Sequence, residues 1–495
     1  MGVVKRQGIK QSIVNYAGVF LAFFSTIFVY SLNTELYGAA RFIIDTAFII
    51  SPFILLGAGS VSIKYFPIFK NVDKKHHGLL GLLILQSLFG GFIVLGLLFL
   101  FKDQIMGLYD DKPALYTAQF FKIGILAMLV ALFNLLYSYS TNFKRIVVPS
   151  IFLSLIKVSL PILVLLFYFK YVSFSFLANG ILATYLVALL GMIAYLAHLG
   201  HLFLKPSFEL MDNAMTRQMS VFAIFSLLSG MGSTLAFRID SFMVGTLIDM
   251  ENNGVYNIAL FIGNAIAIPT AAIIQIASPL VSESLKNNNL GEVKTLYSKS
   301  SLNLLIFGVL LFTLVMASIV DLFGLMPGKD FDIYSGYYIV MTIGLAKLVD
   351  MATSINSQII IYSKYYRFNV VAILLMALIN IMLNLVLIPK FQVIGAAMST
   401  FLSLTIYNLI KLGFIYFRFK IQPFSLATLS VLILGALGFG LSLLIPDTGN
   451  HILNIILKSA VVGAAYTVCI LKLKVSEDVN ELWRDAVKFL NGLVG

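Results

Sequence analysis

Residues 78–101, GLLGLLILQSLFGGFIVLGLLFLF, contain no charged side chain and form a segment long enough to cross a lipid bilayer. A spanning helix needs about 20 apolar residues to cover a hydrocarbon core of about 30 Å. Lys74 and Lys75 precede this segment, and Lys102 and Asp103 follow it. Similar apolar segments follow one another along the chain with only short polar connections. This pattern predicts an all-α integral membrane protein.

The composition excludes a water-soluble fold. Of the 495 residues, 60% are hydrophobic and only 11% are charged, whereas soluble domains carry about 25% charged residues. The mean hydropathy is +0.96. The single cysteine, Cys469, lies inside an apolar segment, so an internal disulfide framework is excluded.

The apolar segments predict about 14 transmembrane helices at about 20 residues each. We place them near residues 11–32, 38–69, 78–101, 115–140, 146–169, 173–204, 218–248, 254–284, 300–325, 334–362, 367–388, 392–417, 424–445 and 452–473. Every second gap is rich in Lys and Arg, for example Lys144 and Arg145, whereas the other gaps are rich in acids such as Asp110 and Asp111. By the positive-inside rule, the basic side and both termini are cytoplasmic. The net charge of +12 reflects this asymmetry, so no nucleic-acid partner is expected.

The order of the segments predicts two lobes of six helices each. The N-lobe covers residues 1–204, a cytoplasmic loop covers 205–217, the C-lobe covers 218–420, and two further helices occupy 421–474. A faint similarity between the openings of helix two (residues 35–40, ELYGAA) and helix eight (residues 253–259, NGVYNIA) is consistent with duplication. Apolar residues recur at helical spacing in residues 475–495, which predicts an amphipathic cytoplasmic tail helix on the inner membrane face.

Four short motifs resemble a known family. They are KRQ at residues 5–7, ELYG at 35–38, RIDSFMVG at 238–245 and GVY at 254–256. Together with the fourteen-span plan, they resemble the polysaccharide transporter, or O-antigen flippase, branch of the multidrug/oligosaccharidyl-lipid/polysaccharide (MOP) exporter superfamily. The resemblance implies two lobes that form a V around a central cavity. It also implies alternating access and transport of a lipid-linked oligosaccharide across the bacterial cytoplasmic membrane.

Charged residues inside spanning helices are expensive, roughly 2.5 to 3.5 kcal/mol each at the helix centre, so they usually face a cavity or a partner. The basic residues within predicted spans are Arg41, Lys64, Lys122, Lys157, Arg238, Lys347, Lys411 and Lys458. The clear acids are Asp45, Asp240 and Asp350. This cationic surplus predicts a cavity that binds an anion.

Not all of these basic residues are equally informative. Lys64, Lys122, Lys411 and Lys458 lie close to predicted helix ends, where a long side chain can reach the headgroups. Lys157, Arg238 and Lys347 lie deeper in their spans, whereas Arg41 lies nearer the outer end of its helix and can pair with Asp45. The predicted site for an anionic headgroup consists of Arg41, Lys157, Arg238 and Lys347. Arginine suits a diphosphate because its planar fork donates two parallel hydrogen bonds.

The three acids have predicted roles in charge pairing or ion coupling. Arg41 and Asp45 are four residues apart, and Lys347 and Asp350 are three apart, so each pair can meet on one helix face. Such pairs are also consistent with a purely structural role. Asp240 is two residues from Arg238, which places the two side chains on nearly opposite faces of their helix.

Three functions remain open at this stage. The first is a flippase for an undecaprenyl-pyrophosphate-linked oligosaccharide in O-antigen, capsule or exopolysaccharide biosynthesis, with a polysaccharide polymerase and chain-length machinery as possible partners. The second is an ion-coupled multidrug or cation exporter of the MATE type, and the third is a membrane glycosyltransferase or polymerase. We expect no enzymatic activity, no cofactor and no bound metal, because nucleotide-binding and metal-ligand motifs are missing. Helix breakers are predicted to bend two long spans, namely Pro52, Gly57, Gly59 and Pro67 in helix two and Pro269 and Pro279 in helix eight.

Overall fold

The computed structural model describes residues 17–107, 120–143, 147–328 and 331–494. Within these ranges the regular secondary structure is helical and contains no strand. The predicted all-α fold is therefore confirmed. The first residues of predicted helix one, and the basic residues Lys144 and Arg145, lie outside the described ranges.

Eighteen helices follow one another within the described residues, and two short 3-10 turns, Tyr30–Leu32 and Lys75–Gly78, lie between them. The first ten are α1 (17–28), α2 (Thr34–Leu55), α3 (Ala58–Phe69), α4 (Leu79–Leu100), α5 (Lys102–Gly107), α6 (Phe120–Thr141), α7 (Val147–Tyr168), α8 (Phe174–His198), α9 (Asn213–Leu247) and α10 (Met250–Ala265). The others are α11 (Ile268–Lys286), α12 (Leu290–Gly324), α13 (Ile333–Thr353), α14 (Asn356–Tyr362), α15 (Tyr366–Phe419), α16 (Leu426–Ser442), α17 (His451–Lys472) and α18 (Glu477–Val494).

Many of these helices match the dimensions of a bilayer. Ten are long and apolar enough to cross a membrane, and α13 with α14, bent by 48°, forms an eleventh candidate. Two shorter apolar helices, Ala17–Leu32 and Leu426–Ser442, are also present. The exact number of fourteen spans and the cytoplasmic location of both termini stay predictions.

Three of the predicted spans are broken in the structure. Helix two divides into α2 and α3 at Leu56 and Gly57, which both have left-handed backbone angles (φ 49° and 78°). The side-chain amide of Gln86 in α4 donates to the free carbonyl of Leu56 at 2.8 Å. Helix eight divides into α10 and α11 just before Pro269. The third break separates α13 from α14 at Ser354, where φ is 45°.

The longest helix, α15, contains 54 residues and is bent in its middle. Gln392 has φ 51° and ψ −139°, and Pro389 lies one turn before it. A Cβ atom on Gly395 would lie 2.2 Å from the carbonyl oxygen of Leu387, so the chain turns tightly here. The bend coincides with the boundary predicted between the helices at 367–388 and 392–417.

The described residues group into two compact units. The first contains the residues up to Asn257 together with Gly328, and the second contains Ile258 to Pro327 and the residues from Phe331 onward. Helix α9 and the first half of α10 therefore belong to the first unit. The division into two lobes of six helices, residues 1–204 and 218–420, stays a prediction.

Each unit has its own apolar core. In the first unit, buried side chains of α3, α4, α6 and α8 pack together, for example Phe66, Leu80, Leu136 and Met192. In the second unit, α12 packs against α13, α16 and α17 through residues such as Val309 and Tyr466. The last two apolar helices are thus part of the second unit.

The predicted tail helix is present as α18. The Oγ atom of Ser476 accepts from the backbone N–H of Val479 at 3.4 Å and so caps the helix. Asp478 then holds the tail against α12, because Lys299 Nζ and Asn303 Nδ2 donate to its carboxylate at 2.9 and 2.8 Å. The location of this helix on the inner membrane face stays a prediction.

Candidate functional site

The first unit contains a buried carboxylate that is bonded to two arginines. Asp45 in α2 is fully buried. Arg41, one turn earlier, places Nη2 at 3.0 Å from Asp45 Oδ2, and Arg238 in α9 donates through Nη1 to Oδ1. Two guanidinium groups on one carboxylate leave a net positive charge. We call Arg41, Asp45 and Arg238 the arginine cluster.

The two arginine side chains remain partly accessible. The side chains of Arg41 and Arg238 are each 29% exposed, whereas the carboxylate between them is inaccessible. The guanidinium carbon of Arg238 lies 4.0 Å from the ring centroid of Phe48, a cation–π contact. An anion that approaches this face meets the arginines rather than Asp45.

A polar network behind the cluster fixes the position of Arg41. Its Nε atom donates to Asn257 Oδ1 at 3.1 Å. The amide of Asn257 donates to Ser241 and Asn253 at 3.0 and 2.9 Å, and Asn253 donates to the carbonyl of Gly38 at 2.8 Å. These bonds join α2, α9 and α10, which restricts the rotamers of Arg41.

The backbones of α2 and α10 touch beside this network. A Cβ atom on Gly38 would lie 1.8 Å from the carbonyl oxygen of Met250, and one on Gly254 would lie 1.9 Å from that of Thr34. Only glycine fits at such a contact. The two segments whose similarity indicated duplication, ELYGAA and NGVYNIA, therefore pack against each other.

Asp240 has a separate environment, as its spacing from Arg238 predicts. The residue is 4% exposed, and its carboxylate accepts from the hydroxyl of Tyr256 at 3.2 Å. The guanidinium group of Arg238 bonds instead to Asp45. The two charged groups of this motif thus lie on different faces of α9.

The structure does not join Lys157 to the arginine cluster. Lys157 in α7 is exposed, and its Nζ atom would lie 3.2 Å from a Cβ atom on Gly18 of α1. Among the described residues, no hydrogen bond or ion pair links Lys157 to Arg41, Asp45 or Arg238. Its predicted role in anion binding stays a prediction.

Lys347 and Asp350 lie in the second unit, at a second polar network. Asn408 of α15 donates to Asp350 Oδ1 at 3.1 Å and accepts from Thr353 and Asn356, each at 3.0 Å. These partners surround the break between α13 and α14, where the helix leaves polar groups free.

Lys411 and Lys458, two lysines predicted to reach the headgroups, both have polar partners in the second unit. Lys411 is 1% exposed. It donates to Ser357 at 3.0 Å and lies 3.7 Å from the ring centroid of Tyr407. Lys458 is bonded to Asp321 at 2.7 Å. The snorkelling prediction is therefore wrong for Lys411, whose ammonium group is buried inside the second unit. Lys458 is partly exposed and Asp321 lies near a helix end, so its position near the headgroups stays a prediction.

Asp321 is a buried carboxylate that the sequence analysis missed. It also accepts from Asn454 at 2.9 Å and contacts His451 at 3.1 Å. It lies near the end of α12, and its partners are more than a hundred residues away in the sequence. No local spacing could have identified this cluster.

Comparison with known proteins agrees with the predicted class. The profile of a family described as polysaccharide biosynthesis protein matches residues 70–324. A probable low-salt glycan biosynthesis flippase, Agl15 from Haloferax volcanii, is 24% identical over 251 residues, which are 49% of this chain and 50% of the relative. The chain thus matches about half the length of this relative.

Two solved structures share the fold. A lipid II flippase, MurJ in an inward closed conformation, superposes with a TM-score of 0.71 and 16% identity over 94% of this chain and 100% of that chain. An inward-facing multidrug resistance transporter of the MATE family superposes with a TM-score of 0.62 and 12% identity, over 81% of this chain and 94% of that chain. The family profile covers more than half of the 495 residues. The chain therefore belongs to the polysaccharide biosynthesis protein family, in agreement with its resemblance to the polysaccharide flippases of the MOP superfamily.

Proposed function

We propose that this protein is a flippase that moves an undecaprenyl-pyrophosphate-linked oligosaccharide across the bacterial cytoplasmic membrane by alternating access. The product would supply a polysaccharide polymerase on the outer side, for O-antigen, capsule or exopolysaccharide. The observation that carries the proposal is the arginine cluster, in which two accessible guanidinium groups share one buried carboxylate.

The cluster suits a pyrophosphate for two reasons. Each guanidinium donates a planar pair of N–H groups, which matches the oxygens of a phosphate. Asp45 and Asn257 also hold the two side chains in place before the substrate arrives, which reduces the entropy lost on binding. Lys157 and Lys347 keep their proposed role in binding the anionic headgroup, and Asp240 and Asp350 keep theirs in charge pairing or ion coupling.

The broken helices support a mechanism that changes conformation. The breaks at Leu56–Gly57, before Pro269 and at Ser354 interrupt the helical hydrogen bonds in three places. Discontinuous helices are typical of secondary transporters, where they bind substrates or absorb rocking motions. Two of these breaks coincide with the Gly and Pro positions predicted to bend.

The cation exporter is less well supported. An exporter of this kind needs a carboxylate that is available to the cation. Asp45 is instead occupied by two arginines, and Asp350 accepts from Asn408. The fold alone does not separate the two functions, because flippases and MATE transporters both resemble it.

A reconstituted transport assay tests the proposal. The purified protein is placed in liposomes that contain labelled lipid-linked oligosaccharide, and the fraction reached by an external glycosidase is followed with time. We expect the Arg41→Gln/Arg238→Gln variant to lower the transport rate at least tenfold, because it removes both charge-assisted donors. The exposed Arg217, also in α9, gives the matched control Arg217→Gln, which should retain the wild-type rate. A wild-type rate in the double variant contradicts the proposal.

A further inference from the structure

A small polar cavity lies between α2, α3, α6 and α9 of the first unit. Its volume is about 220 Å³, smaller than the roughly 300 to 1,000 Å³ of pockets for whole drug-sized ligands. Several polar side chains from these four helices line it, namely Ser51, Ser60, Asn134, Ser138, Ser226 and Thr234.

Several of these polar groups have no hydrogen-bond partner among the residues that the structure describes. Elsewhere in the chain, helical Ser and Thr hydroxyls often donate to the carbonyl one turn earlier, as Thr46 does to Phe42 at 2.6 Å and Ser87 to Leu83 at 2.9 Å. Around the cavity, the hydroxyls of Ser226 and Thr234 and the amide of Asn134 make no hydrogen bond to other described residues. Each hydroxyl and amide can both donate and accept. The cavity therefore offers free partners to a polar ligand.

The cavity is adjacent to the arginine cluster. Thr234 is one helical turn, about 5.4 Å, before Arg238 on the same face of α9. Phe48 forms part of the wall, and the guanidinium of Arg238 lies over its ring. A ligand in the cavity would therefore lie next to an anion bound at the arginines.

The wall of the cavity at Gly57 is held in place by a close contact between two backbones. Gly57, at the break between α2 and α3, lines the cavity with φ 78°. A Cβ atom there would lie 2.3 Å from the carbonyl oxygen of Ala223 in α9. The break thus holds α3 against α9 and gives the cavity a defined width.

We propose that this cavity binds the sugar ring that is bonded directly to the pyrophosphate of the substrate. The inference rests on the proposed function and adds a sugar subsite to it. In such a substrate the anomeric carbon is linked to a phosphate oxygen, so the first ring and the pyrophosphate occupy adjacent sites. The ring hydroxyls would bond to Asn134, Ser226 and Thr234. The apolar face of the ring would pack against Phe48.

Binding of short lipid pyrophosphates tests the subsite. The probes are farnesyl pyrophosphate and the same compound carrying one glucose, galactose or N-acetylglucosamine, and the purified full chain is measured in lipid nanodiscs. We expect at least one sugar probe to bind about tenfold more tightly than the sugar-free probe. The Ser226→Ala/Thr234→Val variant should lose about tenfold of that affinity, since two hydrogen bonds disappear. Its affinity for the sugar-free probe should be unchanged.

The same helix provides the matched control. Ser229→Ala/Ser233→Ala removes two hydroxyls that do not line the cavity, so it should bind all probes like the wild type. Asn134→Leu, from α6, should repeat the effect of the cavity variant. The subsite is wrong if no sugar improves binding, or if cavity and control variants lose the sugar probe equally.

Failure of the proposed function gives a different result. If the wild type binds none of the pyrophosphates, or if Arg238→Gln binds them all as tightly as the wild type, the proposed function fails and the subsite fails with it. If the wild type binds the pyrophosphates but does not prefer any sugar probe over the sugar-free probe, the subsite is wrong and pyrophosphate recognition remains in place.

Discussion

At the scale of single residues, the carboxylate of Asp45 lies between two guanidinium groups that remain accessible. Removing one partner from a buried ion pair typically costs 3 to 5 kcal/mol, because a charge is left without compensation. Asp45 therefore stabilises the arginines when no substrate is bound. It also competes with the substrate for the same N–H groups.

Because of this competition, we expect Asp45→Asn to strengthen anion binding and to slow transport. The variant should bind farnesyl pyrophosphate several-fold more tightly, because two unpaired arginines gain more from an added anion. Its transport rate in liposomes should fall, since product release becomes slower. Asp249→Asn, at an exposed carboxylate that bonds Asn252, serves as the control and should change neither quantity. Equal affinities in wild type and Asp45→Asn would contradict the competition.

The sequence could predict only part of this cluster. The spacing of four residues predicts the Arg41–Asp45 pair, since one helix turn brings them together. Arg238 joins from 193 residues away, and no local pattern carries that information. The same reason explains why Asp321 was missed and why the burial of Lys411 was not expected.

At the scale of elements, hydropathy predicts where apolar helices lie, but not where all of them break. Pro and Gly indicated the breaks in helices two and eight, because these residues disfavour continuous helices. The break between α13 and α14 lies at Ser354, with neither residue at the bend. Asn408 bonds to both sides of that break, a tertiary effect that sequence periodicity does not contain.

The tail helix provides a prediction on pH. The hydrogen bond from Lys299 lowers the pKa of Asp478 below its usual range, and the bond from Asn303 adds to this effect. The docked tail thus favours the ionised carboxylate. Its stabilisation is present above the undocked pKa of about 3.9 and is lost as the pH falls through the lowered value.

The only tryptophan of the chain, Trp483, lies in this helix and reports its docking. We expect Trp483 fluorescence to change as the pH is lowered below about 4. Asp478→Asn should abolish most of this change. Asp485→Asn, at an exposed position of the same helix, should retain it. A titration that is identical in all three proteins would show that Asp478 does not control docking.

At the scale of the whole molecule, the sequence predicts the class of protein, and tertiary contacts determine how its helices group into the two compact units. The apolar segments and the family motifs led to a membrane transporter of the MOP type, and the family profile agrees. Helix α9 begins within the predicted loop at 205–217 and groups with the first unit. This grouping arises from its packing on α2, including the bond between Arg238 and Asp45.

The orientation of the whole chain is a testable prediction. The Lys and Arg asymmetry places both termini in the cytoplasm. A green fluorescent protein fused after residue 495 should be fluorescent in bacterial cells, and alkaline phosphatase at the same position should be inactive. Fusions in the predicted outer gap near Asp447 should give the reverse result. Active phosphatase at the C-terminus would exclude an even number of spans with a cytoplasmic N-terminus.

The shared carboxylate also determines how the transport cycle responds to voltage. Under the proposed function, the empty arginine cluster carries a net charge of +1 because one of its two positive charges is neutralised. A pyrophosphate diester with two ionised phosphates changes this to −1. Each charge that crosses the full membrane field contributes about 2.3 kcal/mol per 100 mV. In a cell that is negative inside, the potential pushes the loaded cluster outward and draws the empty cluster inward. The membrane potential therefore acts in opposite directions on the loaded and the empty cluster.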